Sequence, residues 1–326
     1  MTNRTLRHAL VAATALTFIA APAAAQQIDR IVTFGDSYAD DGNAFELGYN
    51  NPGALVIYPT KRFSGGTNYI DTLGEILQVP IENFAIGGAF GGSNNGTLCF
   101  DPPFGANLCG KGLQYEVDQF LNVGVQSGVF PSGVASFDEG DLLAVSIGGN
   151  DSRFYQQVGG SLAGAAAAGS AAAVGTAVQL DRLVAAGAPT ISFLAGDTGR
   201  LPEVATQPVG AGPIRSTFST AFNTSLQGTL AGYAADGVIV HYLDLGIMLD
   251  NVAANPLAYG ITNGLVCPGF VPATPASATC IVNSSGYLFY GDGLHLTSTG
   301  FAIVAKYVAA QLTAPLTLQA PSEASM

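Results

Sequence analysis

The stretch Ile31-Val32-Thr33-Phe34-Gly35-Asp36-Ser37-Tyr38-Ala39-Asp40-Asp41-Gly42-Asn43 decides how the chain is read. Four residues suited to a buried strand run into Gly35, and a hydroxyl stands where that strand would end. Open α/β sheets place ligands and chemistry at the carboxyl ends of their strands. Ser37 is therefore a candidate nucleophile, provided another part of the chain supplies a base. By itself the stretch reads equally well as a turn, because Gly, Asp and Ser are ordinary turn formers.

The first strand covers Ile28–Phe34, and strand-like runs recur at Ile81–Ile86, Asp141–Ile147, Thr190–Ala195 and Val238–Tyr242. Apolar residues at helical spacing lie between and after them: Thr67–Val79, Tyr115–Val125, Gly159–Gly187, Phe218–Ala235, Leu245–Val252 and Ser298–Leu312. Strand and helix patterns thus alternate about five times, as crossovers between parallel strands require. The expected class is α/β with a mainly parallel sheet. The Ala- and Gly-rich first half of Gly159–Gly187 fits a long helix, a broken helix or a loop. Gly48–Gly66 and Pro256–Gly286 have loop composition, and Asp40, Asp41 and Asn43 have a plain use as caps.

Residues 1–25 are read as a leader: Arg4, Arg7 and His8, an apolar run to Ala21, and Ala23-Ala24-Ala25 as a cleavage signal. Cleavage leaves residues 26–326 as a single expected domain, ending in a loose tail from Ala314 to Met326. The formal charge of -12 becomes -14 once Arg4 and Arg7 are removed. That charge argues against a nucleic-acid partner, since no basic patch offsets phosphate repulsion. The apolar run of the leader is too short to favour a membrane span, so no integral membrane domain is expected. Cys99, Cys109, Cys267 and Cys280 all lie in the exported part. Their number permits three pairings, of which Cys99 with Cys109 and Cys267 with Cys280 is expected, in an oxidising compartment such as the periplasm or the medium. Zinc is the competing use, but the spacings and the absence of nearby histidines fit it poorly.

A serine hydroxyl needs a base, and the base needs a third group to orient its ring. Beyond the leader the chain has two histidines. His295 follows Asp292 by three residues just before the final helix pattern, whereas His241 lies inside an apolar strand without a local acid. Gly148-Gly149-Asn150-Asp151 is a second strand exit rich in polar groups. No metal-ligand cluster is evident, and Gly87–Gly96 lacks the dinucleotide fingerprint, so no cofactor is expected.

Taken together and in order, these blocks resemble the GDSL esterase and lipase family, the SGNH hydrolases. Gly35-Asp36-Ser37 resembles the nucleophile block, with Tyr38 in place of the family's Leu. Asn83-Phe84-Ala85-Ile86-Gly87-Gly88 is similar to the second block, Gly148-Gly149-Asn150-Asp151 to the third, and Asp292-Gly293-Leu294-His295 to the last. The resemblance implies a three-layer α/β/α sandwich with a flavodoxin-like sheet. It assigns Ser37, Asp292 and His295 as the catalytic triad. It also makes the backbone N–H groups of Ser37 and Gly88, with the Asn150 side chain, the oxyanion hole; Gly87 is the neighbour that would replace Gly88. Asp197-Thr198-Gly199-Arg200-Leu201-Pro202 resembles a structural or pocket-forming segment of secreted members. Passenger esterases of bacterial autotransporters look especially similar, but too little chain follows His295 for their barrel.

The implied activity is hydrolysis of a carboxylic ester through an acyl-enzyme. A small-molecule, lipid or acylated-carbohydrate ester fits as substrate. Deacetylation of carbohydrate and acyl transfer by the same fold are alternatives, as is a surface-binding module without turnover. Apolar residues in Gly48–Gly66 or Gly260–Ala278 are candidates to line an acyl pocket or simply to anchor their own loops.

Overall fold

Every residue of Ile31–Gly35 is buried, which only a strand covered on both faces requires. A computed structural model describes residues 27–132, 135–269 and 275–313. The proposed leader and tail lie outside them. The chain runs β1 (Arg30–Gly35), α1 (Asn43–Glu46), α2 (Pro52–Ile57), α3 (Tyr69–Leu77), β2 (Ile81–Asn83) and α4 (Leu113–Phe120). It continues through β3 (Asp141–Ser146), α5 (Gly149–Gln157), α6 (Leu162–Ala185), β4 (Thr190–Ala195), α7 (Ala211–Ala235), β5 (Ile239–Asp244) and α8 (Leu245–Ala254). β6 (Gly264–Val266), α9 (Pro275–Val282), β7 (Tyr287–Phe289) and α10 (Ser298–Thr313) complete it.

The main sheet has the order β2-β1-β3-β4-β5 and every pairing is parallel. Alternate strand residues serve opposite faces, as the pleat dictates. Val32, Phe34, Leu143, Val145, Ile191 and Phe193 pack with α4, α6 and α7. Ile31, Leu142, Ala144 and Leu194 pack with α3, α8 and α10. Helices thus cover both faces, giving the three layers and the flavodoxin-like strand order expected. The order reverses between β1 and β3, and the crevice outside such a reversal is where open α/β sheets bind ligands.

Of the readings open for the Ala- and Gly-rich segment the structure shows the long helix: α6 is continuous from Leu162 to Ala185 and capped by Ser161. Gly169 explains part of this: a Cβ there would lie 2.3 Å from the Phe218 carbonyl oxygen, so the glycine admits the close approach of α7. α6 is long and apolar enough to cross a membrane by length and composition, but its packed face contributes to the core beside α4 and α7.

Three segments differ from the loop reading. α2 lies within Gly48–Gly66, where Asn51 accepts from the N–H groups of Gly53 and Ala54 and Pro52 opens the helix. β6, paired in parallel with β7, and α9 lie within Pro256–Gly286. The helix expected over Tyr115–Val125 starts at Leu113 and ends at Phe120. α3 begins two residues later than read, at Tyr69, where Asn68 forms a capping box with Asp71; α10 begins at Ser298 as read, with Thr297 accepting the Gly300 N–H. Cys99 is bonded to Cys109 and Cys267 to Cys280, which removes zinc as their use.

Candidate active site

β1 ends at Gly35, whose φ of 133° is open to glycine and strained for other residues. A Cβ there would also lie 2.0 Å from the Ser146 carbonyl oxygen on β3. The chain can therefore turn sharply out of the sheet and present Ser37. Buried Glu116 of α4 braces this exit, accepting the N–H of Gly35 at 2.7 Å and that of Ile86 at 3.2 Å. Burial pushes its carboxyl well above the ordinary range, against the pull of those two bonds. Asp40 accepts from Gly42 at 2.6 Å, Ala44 at 3.1 Å and Gly87 at 2.5 Å. It thus caps α1 and holds the second loop against the first. Burial moves Asp40 up to about 6 and Asp36 up to about 7 despite their backbone donors.

The structure brings the three expected triad residues together. Ser37 Oγ lies 2.8 Å from His295 Nε2, and His295 Nδ1 lies 2.6 Å from Asp292 Oδ2. With the carboxylate accepting from Nδ1–H, Nε2 is free to accept the serine proton. The other oxygen, Oδ1, accepts the backbone N–H groups of Leu294 at 2.8 Å and His295 at 2.9 Å. Burial pushes the Asp292 carboxyl up, but the charge of His295 and the hydrogen bonds from His295 and Tyr58 outweigh it, so it titrates below the usual range.

Tyr58, just past α2, escaped the sequence reading. Its hydroxyl donates to Asp292 Oδ2 and lies 3.4 Å from His295 Nδ1. Phe63 stacks on the imidazole at 5.3 Å between ring centres, and Tyr58 meets it edge-on at 5.9 Å. Tyr38, the departure from the family's Leu, donates to the Leu294 carbonyl at 2.9 Å and packs edge-on against Phe301. It ties the nucleophile loop directly to the base loop.

The donors expected around an oxyanion occupy the second and third strand exits. The Gly87 N–H is taken by Asp40, whereas no acceptor meets the N–H of Ser37 or Gly88 among the described residues. Buried Asn150 donates from Nδ2 to the Ala89 carbonyl at 3.3 Å, which leaves its second N–H available and places the amide beside the Gly88 loop. Arg153 Nη1 approaches Asn150 Oδ1 at 3.5 Å and is itself fixed by Glu203 at 2.7 and 3.0 Å. Burial pushes Glu203 up, but Arg153 and Arg215 together bring it below the ordinary range. This brace joins residues fifty positions apart, and no local pattern announces it.

Ser37 and Asn150 open on a cavity of about 270 Å³ whose walls include Leu194, Leu201, Leu245, Leu249, Leu288 and Phe289. The Asp197–Pro202 segment contributes to the lining, as read, and Arg200 pairs with Asp250 at its exposed edge. Among the described residues of Gly260–Ala278, Leu265 and Val266 of β6 reach the cavity; no residue of Gly48–Gly66 lines it. His241 lies in β5 opposite Ser192, with burial pushing its imidazole down and no partner for Nε2 among the described residues. Among the described residues no group of three His, Cys, Asp or Glu side chains is placed to hold a metal.

A family model described as GDSL-like lipase/acylhydrolase matches residues 31–308. The chain belongs to this family. The match runs from β1 through α10 and takes in all four blocks of the GDSL-like pattern. No curated protein matches the sequence. Among solved structures, a carbohydrate esterase whose active site is described as having divergent catalytic and non-catalytic binding functions shares 13% identity at a TM-score of 0.45, over 87% of this chain and 68% of that one. A lipolytic protein of the G-D-S-L family from Veillonella parvula shares 13% at 0.41, over 86% and 96%. An extracellular lipase from Streptomyces rimosus shares 17% at 0.39, over 86% and 99%. None of the three decides which ester the GDSL-like chain acts on.

Proposed function

We propose that the protein hydrolyses carboxylic esters with an apolar acyl group, through an acyl-enzyme on Ser37. The observation that carries this is the unbroken hydrogen-bonded line from Asp292 through His295 to Ser37, ending at an apolar cavity. Ser37 Oγ attacks the ester carbonyl while His295 Nε2 takes its proton. Negative charge moves to the carbonyl oxygen, where the N–H groups of Ser37 and Gly88 and the Asn150 amide receive it. The carbon–oxygen bond to the alcohol then breaks, and His295 returns the proton to the departing alkoxide. Water, deprotonated by the same nitrogen, releases the acid and restores Ser37. Asp292 holds the ring's tautomer throughout and balances its positive charge.

The leucine-rich walls support an acyl chain, while Arg153, Asp197, Thr198, Arg200 and Asp250 in the same lining offer polar partners to the rest of the ester, so the acetylated glycan stays in the test as a competing substrate. Two disulfides and the leader-like residues 1–25 support work in an oxidising compartment, the periplasm or the medium. The test is ester turnover by the processed protein beside Ser37→Ala, with a series of acyl esters and an acetylated glycan as substrates. Loss of roughly a million-fold in kcat is expected for the variant, as for loss of a nucleophile. Equal turnover by the two proteins would remove the mechanism, and preference for the glycan would move the substrate to carbohydrate.

A further inference from the structure

Among the described residues Asp292 receives four hydrogen bonds, two on each oxygen, and one of the donors lies outside the Asp292–His295 turn. That donor is Tyr58, separated from Asp292 by 234 residues. A half-buried hydroxyl against a half-buried carboxylate is a costly arrangement unless both groups are satisfied, and here each satisfies the other. The hydroxyl meets Oδ2, the oxygen that also accepts from His295, while the ring stands edge-on to the imidazole. One side chain therefore touches both the acid and the base.

The position of Tyr58 is itself secured from two sides. Asp101, inside the Cys99–Cys109 loop, accepts from Tyr49 at 2.9 Å and from Asn51 at 2.8 Å. Asn51 caps α2, whose last turn leads into Tyr58. From the other side the Tyr290 hydroxyl donates to the Ile57 carbonyl at 2.9 Å, and its ring stacks on Tyr58 at 5.9 Å. α2 thus has an anchor at each end and carries the tyrosine between them. A residue with only a packing duty would not need its hydroxyl aimed at the acid.

We infer that Tyr58 is a positioning residue for the triad, its hydroxyl fixing Asp292 Oδ2 and keeping that carboxylate anionic while His295 carries the serine proton. This rests on the ester-hydrolase reading. When the imidazole becomes charged, a proton could shift from Nδ1 to Asp292; a second donor on Oδ2 opposes this by stabilising the anion. Tyr58→Phe removes the oxygen and keeps the ring against Phe63, Tyr290 and His295, so folding is preserved. The expected result is a fall in kcat of roughly 10- to 100-fold, the worth of one hydrogen bond to a charged group. KM stays unchanged, because the hydroxyl is absent from the cavity lining, and thermal unfolding measures the stability lost with the bond separately from the loss in kcat.

Proton NMR supplies a readout that a merely structural role would not move. With its competitor gone, the Asp292–His295 hydrogen bond strengthens, and its Nδ1–H resonance shifts further downfield in Tyr58→Phe. Unchanged kcat, or a loss of kcat that follows a lowered melting temperature with the resonance unmoved, would overturn the assignment. If the wild type turned over no ester, or Ser37→Ala matched it, the hydrolase reading would fail instead, and the resonance would still report whether Tyr58 governs the Asp292–His295 bond.

Discussion

Ser37 leaves a strand flanked by neighbours on both sides, whereas His295 follows a pair of three-residue strands outside the main sheet. On the nucleophile side, carboxylates are stitched to backbone N–H groups: buried Glu116 to two strand exits, buried Asp40 to Gly42, Ala44 and Gly87, half-buried Asp151 to Gly91 and Gly92. On the base side, individual side chains hold the loop: Tyr38, Tyr58 and Phe63 from distant segments, and Tyr290 of the loop itself reaching back to the Ile57 carbonyl. The difference teaches where stability and turnover separate. Bonds of the first kind belong to the core, and losing one disturbs the fold. Bonds of the second kind orient one ring.

Asp292→Asn gives the largest effect and sharpens the contrast. It leaves the loop in place but favours the wrong imidazole tautomer, so kcat is expected to fall about ten-thousand-fold while the melting curve hardly moves. Steady-state kinetics beside thermal unfolding checks this. Glu116→Ala should do the reverse, leaving a cavity and two buried N–H groups and costing about 4 kcal/mol in denaturant unfolding. Residual folded protein should keep its per-molecule turnover within a small factor. Should Glu116→Ala stay stable while losing turnover, the division between the two sides would break.

Asp36 tests the core side through pH. In the unfolded chain an aspartate titrates near 4, and in the folded chain burial holds Asp36 up to about 7. Between those values the native protein binds more protons than the unfolded chain, so stability falls as pH rises through the window. Asp36→Asn should remove about 2 kcal/mol of that decline, measured by denaturant unfolding at pH 5 and pH 8. Asp40, held up to about 6, leaves a smaller slope in the variant. Unaltered pH dependence would mean that Asp36 does not drive the decline. The smallest expected effect is at the seam: Tyr38→Phe loses the bond to Leu294, costing about 1 kcal/mol in unfolding and a few-fold in kcat. No change in kcat would show that the base loop holds its place without the nucleophile loop.

How much of this was legible follows the same division. β1, β3 and β4 stand out because parallel strands buried on both faces leave nearly uninterrupted apolar runs, whereas the edge strands β2 and β5 are partly exposed; the ends of β2–β5 still fall within a few residues of the pattern. Ser37, Asp292, His295 and Asn150 are legible as blocks, since a strand exit or a tight turn imposes local spacing on them. Glu116 is not, because on α4 it reads as an ordinary polar helix residue and its partners are backbone groups of two strands. Tyr58 is hidden for a related reason: Gly/Pro-rich composition masks α2, and the tyrosine's partners lie more than two hundred positions away. β6 and α9 share the first difficulty, with a short run and a disulfide doing what a long apolar pattern does elsewhere.

The 258 positions between Ser37 and His295 carry one further consequence. A nascent chain can finish its first strand long before the imidazole exists in place, and no local fragment can assemble the pair. The proposed reactive pair therefore forms only when α10 docks on α3, late in the building of the chain.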